Sequence, residues 1–378
     1  MLLTATIRPS RPLTKHLRGL RFSSSSSSSA SASASASAIA ASFLDRFQSL
    51  GPQIRTQTLD PNQLRLLSLT LNRPSLFPSS SPLSSTTTDA PAANVAGTEI
   101  AAGTPLPPGY HLVYFTPAFL ETELGSDGTD TSYNPSHPFT RRMWAGGEVS
   151  WQRDASGGAV NPLRVGQKVT ETTRVLSAEP KIVKKTGEEM IVVGVEKEFA
   201  NEGGVAVVDR RNWVFRKALP PPTSSTTASS SSTLPPASPP TPHPASCTTI
   251  SSGNTHTRTL SQTAVTLFRF SALTFNPHKI HYSLPWARDV EGHRDIVVHG
   301  PLNLISILDL WRDLRGADGS DGSLDTLYPE KISYRATSPL YAGDEYRIVL
   351  EEGQGKKGIV EILTPEGTIG MKAEIVGV

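Results

Sequence analysis

The sequence predicts an α+β protein in which two copies of a small antiparallel sheet follow one another, at least one of them wrapped round a buried helix. Three observations predict it. Asn161-Pro162-Leu163-Arg164-Val165-Gly166-Gln167-Lys168-Val169 is echoed by Ser338-Pro339-Leu340-Tyr341-Ala342-Gly343-Asp344-Glu345-Tyr346, with proline, leucine and glycine in register at an offset of 177 residues. After each glycine comes the same series of Val-, Thr- and aromatic-rich runs. These are Val169 to Leu176, Glu189 to Phe199 and Val205 to Arg216 in the first half, and Glu345 to Glu351, Gly358 to Leu363 and Ile369 to Val376 in the second. Finally, Pro301 to Leu314, PLNLISILDLWRDL, is apolar round most of its circumference, and such a helix has to be enclosed rather than laid on a surface.

The remaining elements follow from local chemistry. Pro301 suits a first helical position, and Gly300 before it leaves the helix N-terminus open to a ligand. Residues 60–71 read as a short helix, with Asp60 as N-cap, Pro61 at the first position and Pro74 closing it. In the first half, Met143-Trp144-Ala145-Gly146-Gly147-Glu148-Val149 stands in the corresponding place, but the stretch after it is too short for a comparable helix, so that copy is expected to be degenerate. Residues 75–100 and 218–262 are rich in Ser, Thr and Pro, bury too little apolar surface to offset chain entropy, and are expected to be mobile. The expected partition is therefore 1–44, 45–217, 218–262 and 263–378.

Bulk properties remove several functions. A formal charge of +2 lacks the basic excess of a nucleic-acid binder. The single cysteine, Cys247, excludes a disulfide framework and a cysteine zinc site. No apolar run reaches the roughly 18 residues of a membrane span. The first acidic residue is Asp45; before it, Arg8, Arg11, Lys15 and Arg18 alternate with Leu13, Leu17 and Leu20 at helical spacing, and a Ser/Ala tract comes next. That composition predicts a disordered mitochondrial transit peptide over 1–44 and a matrix address; a plain basic tail is the alternative.

The residues that carry chemistry are concentrated in RFSALTFNPHKIHY, Arg269 to Tyr282, which supplies Thr274, Asn276, His278 and His281, and in Val297-Val298-His299-Gly300-Pro301. Adding or removing water across the Cα–Cβ bond of an acyl thioester needs a base, an acid and donors aimed at the thioester oxygen as enolate character develops. Imidazole serves either proton role near neutrality, and free N–H groups at Gly300 suit the enolate. No His/Glu or Asp/Glu set has metal-ligand spacing and no dinucleotide fingerprint occurs, so neither metal nor cofactor is expected.

These motifs, with Trp286-Ala287-Arg288-Asp289-Val290-Glu291-Gly292 and IVVHGPL after them, resemble the C-terminal half of the MaoC-like double hot-dog hydratases, above all the eukaryotic, fungal-type mitochondrial 3-hydroxyacyl-thioester dehydratases of type II fatty acid synthesis. Leu106-Pro107-Pro108-Gly109-Tyr110-His111 and Arg141 to Gly147 resemble the N-terminal hot-dog copy. The resemblance covers roughly 45–378. It implies a catalytic C-terminal copy, an N-terminal copy that leaves room for a long acyl chain, and a 3-hydroxyacyl substrate carried on acyl-carrier protein or coenzyme A, within a monomer of two copies or a homodimer. The family motif reads Asp-x-Asn-Pro-Leu/Ile-His. Here Asn276 and Pro277 match, Thr274 replaces the aspartate, and the histidine falls two places late, at His281, with His278 as an extra imidazole.

The resulting expectation is that His281 exchanges the C2 proton, Asn276 and His278 orient the water, and the Gly300 amide polarises the thioester. Thr274, His299 and Arg288 are assigned to substrate binding. In the competing readings one of His278 and His281 only ties down a loop, His299 braces the turn before Gly300, and Arg141, Arg142, Arg288 and Arg294 are solvated rather than bound to carrier phosphates. Trp144, Trp151, Trp286 and Trp311 read as core. Two other functions remain open: a mesaconyl-CoA-like or short-chain enoyl-CoA hydratase, favoured by a basic residue at the distal end of the acyl pocket, and a non-catalytic acyl-thioester-binding module.

Overall fold

The computed structural model describes residues 35–78, 80, 83, 100–153, 159–184, 186–219, 247–317, 324–354 and 357–377. In the N-terminal half the strands are β1 (Gln53–Thr58), β2 (Arg141–Trp151), β3 (Lys168–Ile182), β4 (Glu189–Asn201) and β5 (Gly204–Arg216). The C-terminal half supplies β6 (Thr248–Ser252), β7 (Thr255–Ser261), β8 (Lys331–Ala336), β9 (Glu345–Glu352), β10 (Lys357–Leu363) and β11 (Ile369–Val376). All pair antiparallel in one sheet, in the order β1-β3-β4-β5-β2-β8-β11-β10-β9-β7-β6. Apart from β6, that order is mirrored about the β2–β8 seam, where Gly146–Ser150 pair with Lys331–Arg335. The fold is thus a double hot-dog, its two sheets joined edge to edge.

The repeat extends further than its sequence signature. In each half an outer strand leads straight into a short capped helix: β1 into α2 (Pro61–Thr70), β7 into α3 (Ala264–Leu273). Asp60 Oδ1 accepts the Gln63 N–H at 2.8 Å, and Thr263 Oγ1 accepts the Thr266 N–H at 3.2 Å, so each cap satisfies an amide that the helix leaves unpaired. The two helices meet where the Gln63 side-chain amide donates to the Leu273 carbonyl at 2.6 Å. Among the described residues only the C-terminal half has the long central helix, α4 (Gly300–Ala317). Leu302, Leu304, Ile305, Ile307, Leu308 and Leu310 along it are wholly buried, as its all-round apolar pattern requires. A short α5 (Leu324–Leu327) comes after it.

Four expectations are corrected. Helix α1 (Ala36–Leu50) begins inside the stretch assigned to a disordered transit peptide: Ser35 caps it, and Ala36, Ile39, Ala40 and Phe43 are buried. Residues 1–34 lie outside the described residues. The Ser/Thr/Pro segment 218–262 is not a linker throughout, because β6 and β7 form a hairpin that extends the sheet beside β9; its residues 220–246 are not described. Within 75–100, Leu76, Leu83 and Ile100 are core residues, while 84–99 are not described. Finally, Met143–Val149 is the middle of β2 rather than a shortened helix entry, since its glycines let β2 lie against both β5 and β8.

The inner face of the N-terminal sheet has three zones. Ile191, Val193 and Val195 of β4 and Trp213 and Phe215 of β5 pack with α1. Phe199, Val169 and Val207 belong to the core shared with α4. Between them, on the same face by strand alternation, lie Glu171, Lys197, Asp209 and Arg211. Thus α1 covers one end of this face, and a charged belt lines its middle.

Candidate active site

Helix α3 ends at Thr274, whose hydroxyl donates to the Phe270 carbonyl at 2.7 Å. Phe275 then takes a left-handed conformation (φ 47°), which a bulky side chain adopts only under local constraint. That turn brings the Asn276 N–H back to the Ser271 carbonyl at 2.9 Å, and the Asn276 side-chain oxygen accepts the His278 N–H at 3.3 Å. One 3-10 turn, Lys279–His281, comes next. It delivers His281 against the strand-like segment before α4, where the Val297 N–H donates to the Ile280 carbonyl at 2.8 Å.

His281 Nδ1 lies 2.7 Å from the Val297 carbonyl oxygen. A carbonyl only accepts, so Nδ1 carries the proton and Nε2 of the neutral ring is left as a base. The ring stacks on His299, with centroids 3.6 Å apart, and meets His278 edge-on at 5.3 Å. His299 is anchored in turn by Ser271 Oγ at 2.9 Å from its Nε2. Burial, reinforced by Arg142 and Arg141, lowers His278 to about 3; burial and then His278 lower His281 to about 3. Both imidazoles are therefore neutral at pH 7 and act first as acceptors.

Immediately after His299, Gly300 opens α4. The first bond of that helix is from the Asn303 N–H to the His299 carbonyl at 3.2 Å, so the Gly300 N–H precedes the ladder and is available to a ligand. A Cβ here would stand 2.9 Å from Trp144 Cδ1, which explains the glycine. His281, His278, Asn276, Thr274, His299 and Gly300 all line one cavity of about 1100 Å³ between the two halves.

Arg288 does not join them. It lies in the turn Trp286–Val290 and is absent from the cavity wall, which corrects its assignment to substrate binding. His299 is 1% exposed and stacks on His281, so that it braces this ring where both reach the cavity wall. The Thr274 hydroxyl is committed to its own helix end, although its side chain reaches the cavity. Arg141 pairs with Glu291, Arg142 with Asp130 and Arg294 with Asp344, so none of these three is merely solvated.

Several wall residues escaped sequence reasoning. Trp144, read as core, faces the cavity with Arg211 stacked on it at 4.9 Å, and Arg142 stacks on Trp213 at 5.1 Å. Lys197 Nζ lies 3.1 Å from Glu171, and burial lowers it to about 8. Asp209 is wholly buried between Arg211 and His111, and Arg211, ahead of the His111 bond, holds its carboxyl far below the usual range against the cost of burial. Strand alternation was the available signal: Lys197, Asp209 and Arg211 occupy inward positions of otherwise apolar strands. Asp127 was missed as well. It lies in GSDGTD, which reads as turn chemistry, and nothing local indicates that the loop crosses to the other copy.

The profile of the hydroxyacyl-thioester dehydratase type 2 family matches residues 109–342, which include every group just described around His281. The chain belongs to this family. As a hydroxyacyl-thioester dehydratase type 2 family member it is a hydro-lyase, a MaoC-like double hot-dog protein. It is 28% identical over 279 residues to mesaconyl-C(4)-CoA hydratase of Chloroflexus aurantiacus, covering 72% of this chain and 84% of that one. It is 25% identical over 272 residues to the mitochondrial hydroxyacyl-thioester dehydratase type 2 of Schizosaccharomyces pombe, covering 66% and 79%. In fold it matches a MaoC-like dehydratase from Phytophthora capsici with a TM-score of 0.52 at 14% identity, over 88% of this chain and 98% of the other.

Proposed function

We propose that this hydro-lyase interconverts a 3-hydroxyacyl thioester and its trans-2-enoyl thioester in the mitochondrial matrix, as a step of type II fatty acid synthesis with the acyl group on acyl-carrier protein. The observation that carries the reading is the meeting of the His281 ring and the Gly300 amide on one cavity wall. His281 Nε2 exchanges the proton at C2. The Gly300 N–H, at the positive end of α4, holds the enolate oxygen, and His278 and Asn276 hold the water at C3. The acid-free N-terminal segment and the mitochondrial relative from fission yeast support the location. Assaying the purified chain against crotonyl-CoA, 3-hydroxybutyryl-CoA and long-chain acyl-carrier thioesters tests it. Turnover should fall at least about 100-fold in His281→Ala with the fold retained; near-normal turnover in that variant removes His281 from the mechanism.

One observation favours a second reading. The cavity wall of the N-terminal half carries Arg142, Lys197 and Arg211. A short acyl group ending in a carboxylate suits such a wall, and mesaconyl-C(4)-CoA hydratase is among the relatives. A kcat/KM for mesaconyl-CoA well above that for crotonyl-CoA and for long-chain acyl-carrier thioesters selects this reading.

A further inference from the structure

Moving water on and off C3 while a proton moves on and off C2 calls for a group at each carbon. His281 serves C2, and the committed hydroxyl of Thr274 offers no base for C3. Four carboxylates line the cavity: Asp127, Asp130, Glu171 and Glu291. Arg142 neutralises Asp130, Lys197 and Arg55 neutralise Glu171, and Arg141 neutralises Glu291. Asp127 faces an imidazole instead: its Oδ2 is 3.9 Å from His278 Nε2.

Its placement is fixed from three sides. Oδ1 accepts the Thr129 N–H at 2.9 Å and the Thr129 hydroxyl at 2.8 Å, which leaves Oδ2 free to face the cavity. The Asp127 carbonyl accepts the Lys279 N–H at 2.8 Å, and the Lys279 ammonium donates to the Ser126 carbonyl at 2.6 Å. Gly128, at φ +84°, lies against the Pro277 carbonyl where a Cβ has no room. The loop of the N-terminal copy is thereby clamped onto the histidine segment of the C-terminal copy.

We infer that Asp127 is a catalytic carboxylate of the site, sharing with His278 the water that is added at C3. The inference rests on the reaction proposed above. An oxygen about 2.8 Å from both Asp127 Oδ2 and His278 Nε2 sits astride the 3.9 Å gap, seeing the two at about 90°, a workable angle for a water donating to both. In hydration the water oxygen forms the C3–O bond, the C2=C3 pair moves into the enolate held at Gly300, and the released proton goes to Asp127. That proton returns through His278 and His281, whose rings are in contact, to C2, so the balance closes on one water with nothing left over. Dehydration runs the same steps backwards, with the C3–O electron pair leaving on oxygen and Asp127 returning the proton.

The variant D127N keeps an oxygen for Thr129 and removes only the base. In the full-length chain it should lower kcat for crotonyl-CoA hydration at least about 100-fold, with KM within about threefold and an unchanged Tm. Exchange of the C2 hydrogen of butyryl-CoA with D2O, followed by NMR, needs only His281 and Gly300 and should persist within about threefold of wild type. Hydration at near wild-type rate in D127N overturns the assignment, and so does joint loss of hydration and exchange, which marks Asp127 as a structural prop. A wild-type chain that neither hydrates nor exchanges removes the proposed reaction itself; an active wild type with an unaffected D127N removes Asp127 alone.

Discussion

His281 lies flat against His299, with ring centroids 3.6 Å apart and planes 19° from parallel. Two imidazolium charges cannot coexist at that distance in a buried site. Burial first, and then His278, hold His281 down to about 3; burial first, and then His281, hold His299 well below its ordinary value. His278 is also lowered to about 3, by burial and two arginines.

Acid sensitivity follows from that arrangement. The unfolded chain, with imidazoles titrating near about 6.5, binds protons that the folded chain refuses. Stability is therefore complete above about pH 6.5 and is lost as the pH falls from there towards the folded values near 3. At pH 5 each imidazole should cost on the order of 1–2 kcal/mol. Urea midpoints at pH 7, 6 and 5 should decline in step, and less steeply in His278→Gln; a midpoint constant from pH 7 to 5 contradicts the neutral stack.

Gly300 and Trp144 should behave as one unit. Because a Cβ at residue 300 would stand 2.9 Å from Trp144 Cδ1, Gly300→Ala has to displace an indole held by Arg211. We expect kcat/KM to fall roughly tenfold, about 1.4 kcal/mol. Trp144→Leu in the same chain should restore part of that loss. Simple addition of the two single-variant losses in the double variant goes against direct contact as the cause.

The belt in the N-terminal half is a stability element as well as a wall. Arg211 puts Nε and Nη2 on the same Asp209 oxygen, at 2.9 and 2.5 Å, and Asp209 is wholly buried. Arg211→Met leaves that carboxylate facing His111 alone and should cost about 3 kcal/mol in urea unfolding. A loss under about 0.5 kcal/mol is the size expected of an exposed pair and contradicts the buried arrangement.

The first turns of helix α1 should contribute measurably to stability. Ile39 and Phe43 are buried where α1 packs on β3 and β4, each contributing about 2 kcal/mol by area. A chain beginning at Ser35 should therefore melt several degrees above one beginning at Asp45. Equal melting temperatures show that the first turns of α1 contribute nothing.

The sequence made visible whatever repeats over a few residues. The strands after Gly166 and Gly343 are rich in Val, Thr and aromatics with partial alternation, and α4 is apolar enough to demand enclosure, so the doubled sheet and its buried helix were legible. Helix α1 was not, because Ala36 to Ala41 continues a Ser/Ala tract whose small side chains bury only against strands far along the chain. The β6–β7 hairpin hides in Ser and Thr for the reverse reason: β6 is exposed and needs no apolar face. His281, His278 and Asn276 stood out because they share one short segment with Gly300 close behind. Asp127 stands about 150 residues before them, and only the fold brings it to His278.

The mirrored strand order has an evolutionary reading. Half of this sheet, meeting a second copy of itself along the β2–β8 border, would give the same arrangement with two equivalent centres. Once both halves share a single gene product, each is released from resembling the other. Among the described residues the C-terminal half carries the imidazoles and the long helix, while the N-terminal half carries a charged wall and a loop that reaches across. The centre is asymmetric because each half brings to it what the other does not.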